Sequence, residues 1–149
     1  MHLSKPSDFF AGLVRDVRPL SDNVNTRISN EIPHNLIVFA DAILLRQLFQ
    51  NLLSNAIEYT KHGEITIGAE EIEGTTRCWV EDTGIGIAPD RLDKIFEKLE
   101  TDPQKKGMGL GLAIVRQIVK IHGGEITVES TVGKGAKFSF TVPNRPEPA

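Results

Sequence analysis

Two glycine motifs, Asp82-Thr83-Gly84-Ile85-Gly86-Ile87 and Gly107-Met108-Gly109-Leu110-Gly111-Leu112, limit how this chain can fold more than any other feature. The first follows the strand-like run Thr76 to Glu81, so Asp82 falls where a strand opens into a loop and its carboxylate can accept a hydrogen bond from a ligand amine. Gly84 and Gly86 carry no Cβ, which lets backbone come close to a flat ring. The second motif leads into Leu110 to Lys120, an apolar run long enough to be a buried helix. Unpaired N–H groups and the positive dipole end at such a helix start suit phosphate. Singly, a glycine pair in a loop is more often an ordinary turn. Together, one motif for a base and one for phosphates point to a nucleotide pocket.

The rest of the chain fits one domain around one core: it has 149 residues, of which 40% are apolar. It has no apolar run of membrane-spanning length and no signal-peptide pattern, so a soluble domain is expected. The single cysteine, Cys78, excludes an internal disulfide and a cysteine zinc cage, and beside Trp79 and Val80 it reads as a core residue. A net charge of −3 with mixed signs argues against a nucleic-acid surface. No cluster of His, Cys and Glu suggests a transition-metal site.

In chain order, the spacing predicts a helix from Ser7 to Val17 ended by Arg18-Pro19, strands at 24–32 and 35–39, and a long helix from Ala42 to Tyr59 capped by Asp41. A hairpin of 64–70 with 75–81 turns at Glu73-Gly74, and Asp90 caps a short helix from Arg91 to Phe96. A polar loop, Glu97 to Lys106, is expected to close over the pocket. The second glycine helix stops at His122-Gly123-Gly124, with His122 a capping or core residue, and strands at 125–130 and 136–142 complete the domain. The long helix also holds Asn51, Asn55 and Tyr59 on one face, each four residues from the next. Asparagine is a poor helix former, so these two either satisfy a neighbouring loop backbone or offer carbonyl oxygens to a hard cation such as Mg²⁺.

These motifs, in this order, resemble the catalytic and ATP-binding domain of bacterial sensor histidine kinases, within the group that includes DNA gyrase B, Hsp90 and MutL. Arg46 to Thr60 looks like that family's N box, Asp82 to Ile87 its G1 box, Ile95-Phe96-Glu97 a reduced F box, and Gly107 to Leu112 its G2 box. Gly123 to Ile126 and Gly133 to Phe140 are similar to its last strands. The resemblance implies an α/β two-layer sandwich, a mixed sheet packed on three main helices, which is the Bergerat ATP-binding fold with a short ATP lid. It divides the chain into a linker at 1–6, the catalytic ATP-binding domain at 7–143 and a disordered tail at 144–149. By position, Asp82 takes the adenine amino group, and Gly84, Ile85, Gly86 and Ile87 shape the base pocket. Asn55 and Asn51 coordinate Mg²⁺ and are the catalytic pair, Glu58 and Tyr59 line the nucleotide, and Lys105, Lys106, Gly107, Met108, Gly109, Leu110, Gly111 and Leu112 surround the phosphates.

The chain departs from the family pattern at Glu58, where lysine is usual, at Leu99 for the second F-box phenylalanine, at Ala136 for threonine and at Met108. A carboxylate about 6 Å from a phosphate charge repels it by roughly 3 kcal/mol at an effective dielectric of about 20. Lys61, Lys105 or Lys106 is expected to compensate. Nothing in the chain matches the family's phosphoacceptor histidine pattern. The expected partners are therefore ATP, a histidine phosphotransfer hairpin elsewhere in the parent kinase, and a response regulator. The expected location is the cytoplasm, and the isolated domain is expected to be monomeric. The alternatives are a degenerate nucleotide-binding module without turnover and a protein-serine kinase or ATPase of the same superfamily.

Overall fold

The computed structural model describes residues 1–92, 94–96 and 108–144, the last segment without the side chains of 108–110. The expected lid over 97–106, with Lys105, Lys106 and Gly107, lies outside the described residues, as does the tail from 145 onward. The elements run β1 (His2–Ser4), α1 (Ser7–Asn23), β2 (Arg27–Asn30), β3 (Val38–Ala40), α2 (Ala42–Tyr59), β4 (Glu64–Ile72), β5 (Thr75–Asp82), α3 (Pro89–Leu92), α4 (Met108–Ile121), β6 (Ile126–Thr131) and β7 (Gly135–Pro143). Five strands form one sheet in the order β2-β4-β5-β7-β6. The β2–β4 pair is parallel and the others antiparallel, which makes the sheet mixed as expected.

The long helix α2 holds the two layers together. Asp41 caps it by accepting the Leu44 N–H at 3.0 Å, and that bond is the main reason its carboxyl lies below the ordinary carboxylate value. Leu45, Leu48, Phe49, Leu52, Leu53, Ala56 and Ile57 recur at helical spacing and are all buried. They face inward residues of the sheet, where alternation puts Ile65 and Ile67 of β4, Cys78 and Val80 of β5, and Phe138 and Phe140 of β7 on one side. An edge-to-face aromatic chain crosses the layers: Phe10 of α1 meets Phe49 at 4.7 Å between centroids, and Phe49 meets Phe140 at 5.2 Å. Leu112, Val115, Ile118 and Val119 bring α4 into the same core. Burial pushes the Cys78 thiol up to about 12, as befits an inert core residue.

Several boundaries differ from the sequence expectation. Helix α1 continues through Pro19 to Asn23, because proline costs the helix one backbone bond while the turn beyond it still buries Ser21, whose hydroxyl donates to the Arg18 carbonyl at 3.0 Å. The expected strand at 24–32 shrinks to β2, since Val24 caps α1 and Asn25 takes a left-handed φ of 53°. Residues 35–39 give only β3, shifted toward Ala40. The presumed linker contains β1, which pairs antiparallel with β3. The short helix begins at Pro89 and ends at Leu92, so Asp90 lies inside it and does not cap it. Helix α4 starts at Met108, ahead of the expected Leu110. The Asn144 N–H donates to the Gly74 carbonyl at 3.1 Å, so the tail expected from 144 is tied to the β4–β5 turn at its first residue. His122 is buried at the end of α4, where its Nε2 accepts the Asp41 N–H at 3.0 Å and its Nδ1–H therefore donates to the Ile118 carbonyl. Among the described residues no helix is long and apolar enough to cross a membrane.

Truncating Phe49, the central ring, to alanine is expected to cost about 3–5 kcal/mol of stability. Chemical denaturation followed by circular dichroism and by the fluorescence of the single Trp79 checks this, as a lower midpoint with an unchanged slope.

Candidate functional site

A cleft of about 270 Å³ opens at the end of β5, with Asp82 in its wall together with Asn55, Tyr59, Ile87, Ala136 and Phe138. Asp82 is the last residue of β5 and the alternation of that strand turns it inward, where it is 6% exposed. Its Oδ1 accepts two backbone donors, the Gly84 N–H at 2.9 Å and the Ala136 N–H at 3.3 Å. Burial raises the Asp82 carboxyl above its ordinary value of 3.8, opposed by those two N–H groups and by the neighbouring Thr60 hydroxyl. Among the described residues no hydrogen bond of ordinary geometry reaches Thr60 Oγ1, so that hydroxyl acts on Asp82 by its proximity.

The loop after Asp82 is held by backbone approaching backbone. A Cβ at Gly84 would meet the Tyr59 carbonyl at 2.1 Å, and the Ile85 N–H donates to that same oxygen at 3.1 Å. Gly86 and Gly135 have φ of +75° and +118°, values that L side chains rarely adopt, and a Cβ on them would stand 2.3 Å from the Thr131 carbonyl and 2.0 Å from the Asp82 carbonyl. Gly84 and Gly86, expected to admit a flat ring, thus serve first to seat the loop against α2 and against β6. The turn between β6 and β7 closes it from the far side: the Gly133 N–H donates to the Ile85 carbonyl at 2.8 Å and the Ile87 N–H to Ser130 Oγ at 2.7 Å.

Helix α2 supplies the opposite wall. Asn55 Oδ1 is buried and has no partner among the described residues, a state that costs free energy unless a ligand fills it. Asn51 donates from Nδ2 to the Gly111 carbonyl of α4 in a long contact of 3.5 Å. A carboxamide oxygen without a partner suits a hard oxygen-seeking cation, and the residues present fit Mg²⁺ in that sense. Among the described residues no group of three His, Cys, Asp or Glu could hold a metal. Glu58 and Lys61 do not line the first cleft. They line a second hollow of about 530 Å³ that shares Tyr59 and Ile85 with it. Of the second glycine motif, Met108 to Leu112 form the first turn of α4, Leu112 being a buried core side chain, and Gly107 lies outside the described residues.

The sequence reading missed Arg91, Ile95, Val132 and Phe138 in the cleft wall, and Ser130 behind it. Phe96, the F-box phenylalanine, meets Phe138 edge-on at 6.1 Å and Ile95 is buried beside it, so the reduced F box is anchored on β7. A serine two residues before a glycine turn, on an otherwise alternating strand, was the available signal for Ser130.

Residues 40–146 match the family described as histidine kinase-, DNA gyrase B- and HSP90-like ATPases. The chain belongs to this ATPase family. Among curated relatives, the ATPase domain is 46% identical over 111 residues to cyanobacterial phytochrome A from Nostoc sp., covering 71% of this chain and 14% of that protein. It is 43% identical over 127 residues to the adaptive-response sensory kinase SasA of Synechocystis sp., covering 80% of this chain and 33% of the kinase. The chain therefore spans a third or less of these relatives. Among solved structures, the catalytic domain of histidine kinase ThkA superposes with a TM-score of 0.86 at 30% identity, over 97% of this chain and 96% of that one. Full-length ShkA in complex with AMPPNP gives a TM-score of 0.83 at 30% identity, over 99% of this chain and 32% of that one.

Because the folded ATPase domain holds the Asp82 proton to a higher pH than the unfolded chain does, the contribution of Asp82 to stability falls as pH rises from about the ordinary carboxylate value of 3.8 through the raised native value, and is flat beyond. Asp82→Asn keeps an oxygen for the Gly84 and Ala136 N–H groups and removes the buried charge. The variant is expected to be at least as stable as the parent at neutral pH, with the advantage disappearing below about pH 4, where both states of the parent are protonated. Thermal unfolding of the two proteins across pH measures the difference.

Proposed function

We propose that this domain binds Mg-ATP and presents the γ-phosphate to a histidine on a separate dimerising hairpin of a two-component sensor kinase. The observation that carries the reading is the pairing, in one cleft, of the buried Asp82 carboxylate with the Asn55 carboxamide oxygen, which has no partner among the described residues. Asp82 accepts the exocyclic amine of adenine, its Oδ1 already held by two backbone donors. Gly84, Ile85, Gly86 and Ile87 form the base wall, and Tyr59 borders the nucleotide. Asn55 and Asn51 hold Mg²⁺ through their side-chain oxygens, Asn51 with its amide nitrogen turned to α4. The bound cation supplies charge neutralisation along the phosphates. The N–H groups of the first turn of α4, together with Lys105, Lys106 and Gly107, meet the phosphates.

Transfer asks this chain mainly for position and electrostatics. The histidine nitrogen forms the new bond to the γ-phosphorus as the bond to the β–γ bridging oxygen breaks, and ADP leaves. Glu58 opposes negative charge and Lys61, which lines the same hollow, offsets it. The downstream acceptor is a response regulator, the domain works in the cytoplasm whether or not the parent kinase is membrane-anchored, and on its own it is a monomer.

Calorimetric titration with a non-hydrolysable ATP analogue tests the binding half. Affinity in the micromolar to submillimolar range is expected, stronger with Mg²⁺, and Asp82→Asn should weaken it about 10- to 100-fold, the scale of a hydrogen bond to a charged group. In Asn55→Ala the dependence on Mg²⁺ should shrink. No binding at millimolar nucleotide would instead support a module without turnover. The transfer half is checked with labelled ATP and a longer protein that includes the hairpin: an acid-labile phosphoryl group on histidine is expected, and an acid-stable one would point to a protein-serine kinase.

A further inference from the structure

We propose that Ser130 is a positioning residue of the base-binding loop, its hydroxyl holding the Ile85–Ile87 backbone in the shape that receives the base. The inference rests on the nucleotide reading above and adds a residue that lies outside the cleft.

Ser130 belongs to β6, in register opposite Ala136 of β7, the residue whose N–H binds Asp82. Its hydroxyl is used at both ends. It accepts the Ile87 N–H at 2.7 Å and donates to the Gly135 carbonyl at 2.9 Å, so one side chain bridges the loop after Asp82 and the turn behind it. One residue on either side of Gly86 is therefore clipped to that turn, Ile87 by Ser130 and Ile85 by the Gly133 N–H, while Gly86 itself lies against the Thr131 carbonyl. Ile87 sits in irregular backbone between β5 and α3, where no ladder supplies its N–H with an acceptor. Ile85, Gly86 and Ile87 all line the cleft, and Ser130 does not. Loss of the hydroxyl leaves the Ile87 N–H and the Gly135 carbonyl short of a partner and frees the loop to move the cleft wall, so the effect reaches the ligand through the loop. It also falls on one end of the ligand. Asn51, Asn55 and the start of α4 stand on other elements, so triphosphate recognition does not pass through Ser130.

The test compares Ser130→Ala, Ser130→Thr and Ser130→Val, each shown by circular dichroism to unfold cooperatively. Ser130→Ala is expected to bind AMP-PNP with Mg²⁺ about 3- to 10-fold more weakly, the scale of one hydrogen bond. Its affinity for inorganic tripolyphosphate with Mg²⁺, measured by competition, should not change. Ser130→Thr should recover most of the nucleotide affinity, and its near-isostere Ser130→Val should not. Independently of nucleotide, amide hydrogen exchange at Ile87 should speed up in Ser130→Ala and Ser130→Val and return in Ser130→Thr. Unchanged AMP-PNP affinity in Ser130→Ala, an equal loss for tripolyphosphate, or valine performing as well as threonine would each overturn the proposal. Hydroxyl-dependent exchange at Ile87 in a protein that binds no nucleotide at all would sink the nucleotide reading and uphold the tether.

Discussion

The burial of one face of α2 between the sheet and the other two long helices is the constraint on which the rest of this structure depends. Phe49 stands at its centre, in contact with Phe10 on one side and Phe140 on the other, so the aromatic contacts of a single residue join α1, α2 and β7. Fully burying such a side chain contributes about 1.5–3 kcal/mol before any cavity cost, and six large apolar residues of α2, Leu45, Leu48, Phe49, Leu52, Leu53 and Ile57, are buried in this way. What that burial sets is orientation. With Leu48, Phe49, Leu52 and Leu53 turned into the core, Asn51 and Asn55 are carried on the half-buried border of the helix, where one reaches α4 and the other keeps a carboxamide oxygen without a partner among the described residues. The polar face of the site is thus a by-product of how the apolar face packs.

The second organising device is the close approach of main chain to main chain around Asp82. A buried carboxylate is unfavourable in a low-dielectric setting, and the fold offsets this with two backbone N–H donors from different strands' ends. Those donors arrive because Gly84, Gly86 and Gly135 let three segments meet at distances no side chain permits. The site is held by the same contacts that close the sheet at that end, which is why its shape does not rest on side chains within the cleft alone. At the other end of the two helices, His122 ties the tail of α4 to the Asp41 N–H at the start of α2, so the pair is pinned where the cleft is not.

Much of this was readable in the residues. Of the residues singled out in the sequence, Asp82, Ile85, Gly86 and Ile87 of the first glycine motif, Asn55 and Tyr59 fall in the cleft wall, and the period of 3.6 finds α2 nearly to the residue. Some misses are local, such as the left-handed Asn25 that shortens the expected strand, and others depend on a partner far along the chain. His2–Ser4 is too short to announce a strand and becomes one because Val38–Ala40 offers an edge. Helix α1 runs past Pro19 to Asn23, and Ser21 in the turn beyond the proline is buried. Ser130 looks like one more strand residue until the Ile87 N–H is placed against it.

By itself the sequence determined the periodicities, the breaks between elements and the chemical inventory: which residues are apolar, which carry an oxygen or a charge, and where a chain without side-chain bulk can turn. These follow from local sterics and from solvent, so they are properties of short stretches. The tertiary structure alone decided that Asp82 is desolvated, that the Asn55 oxygen lacks a partner among the described residues while the Asn51 amide nitrogen reaches α4, and that Glu58 shares a hollow with Lys61 and not the cleft of Asp82. Burial and distance between residues remote in the chain set the cost of a charge and the availability of a polar atom, and no local pattern encodes them.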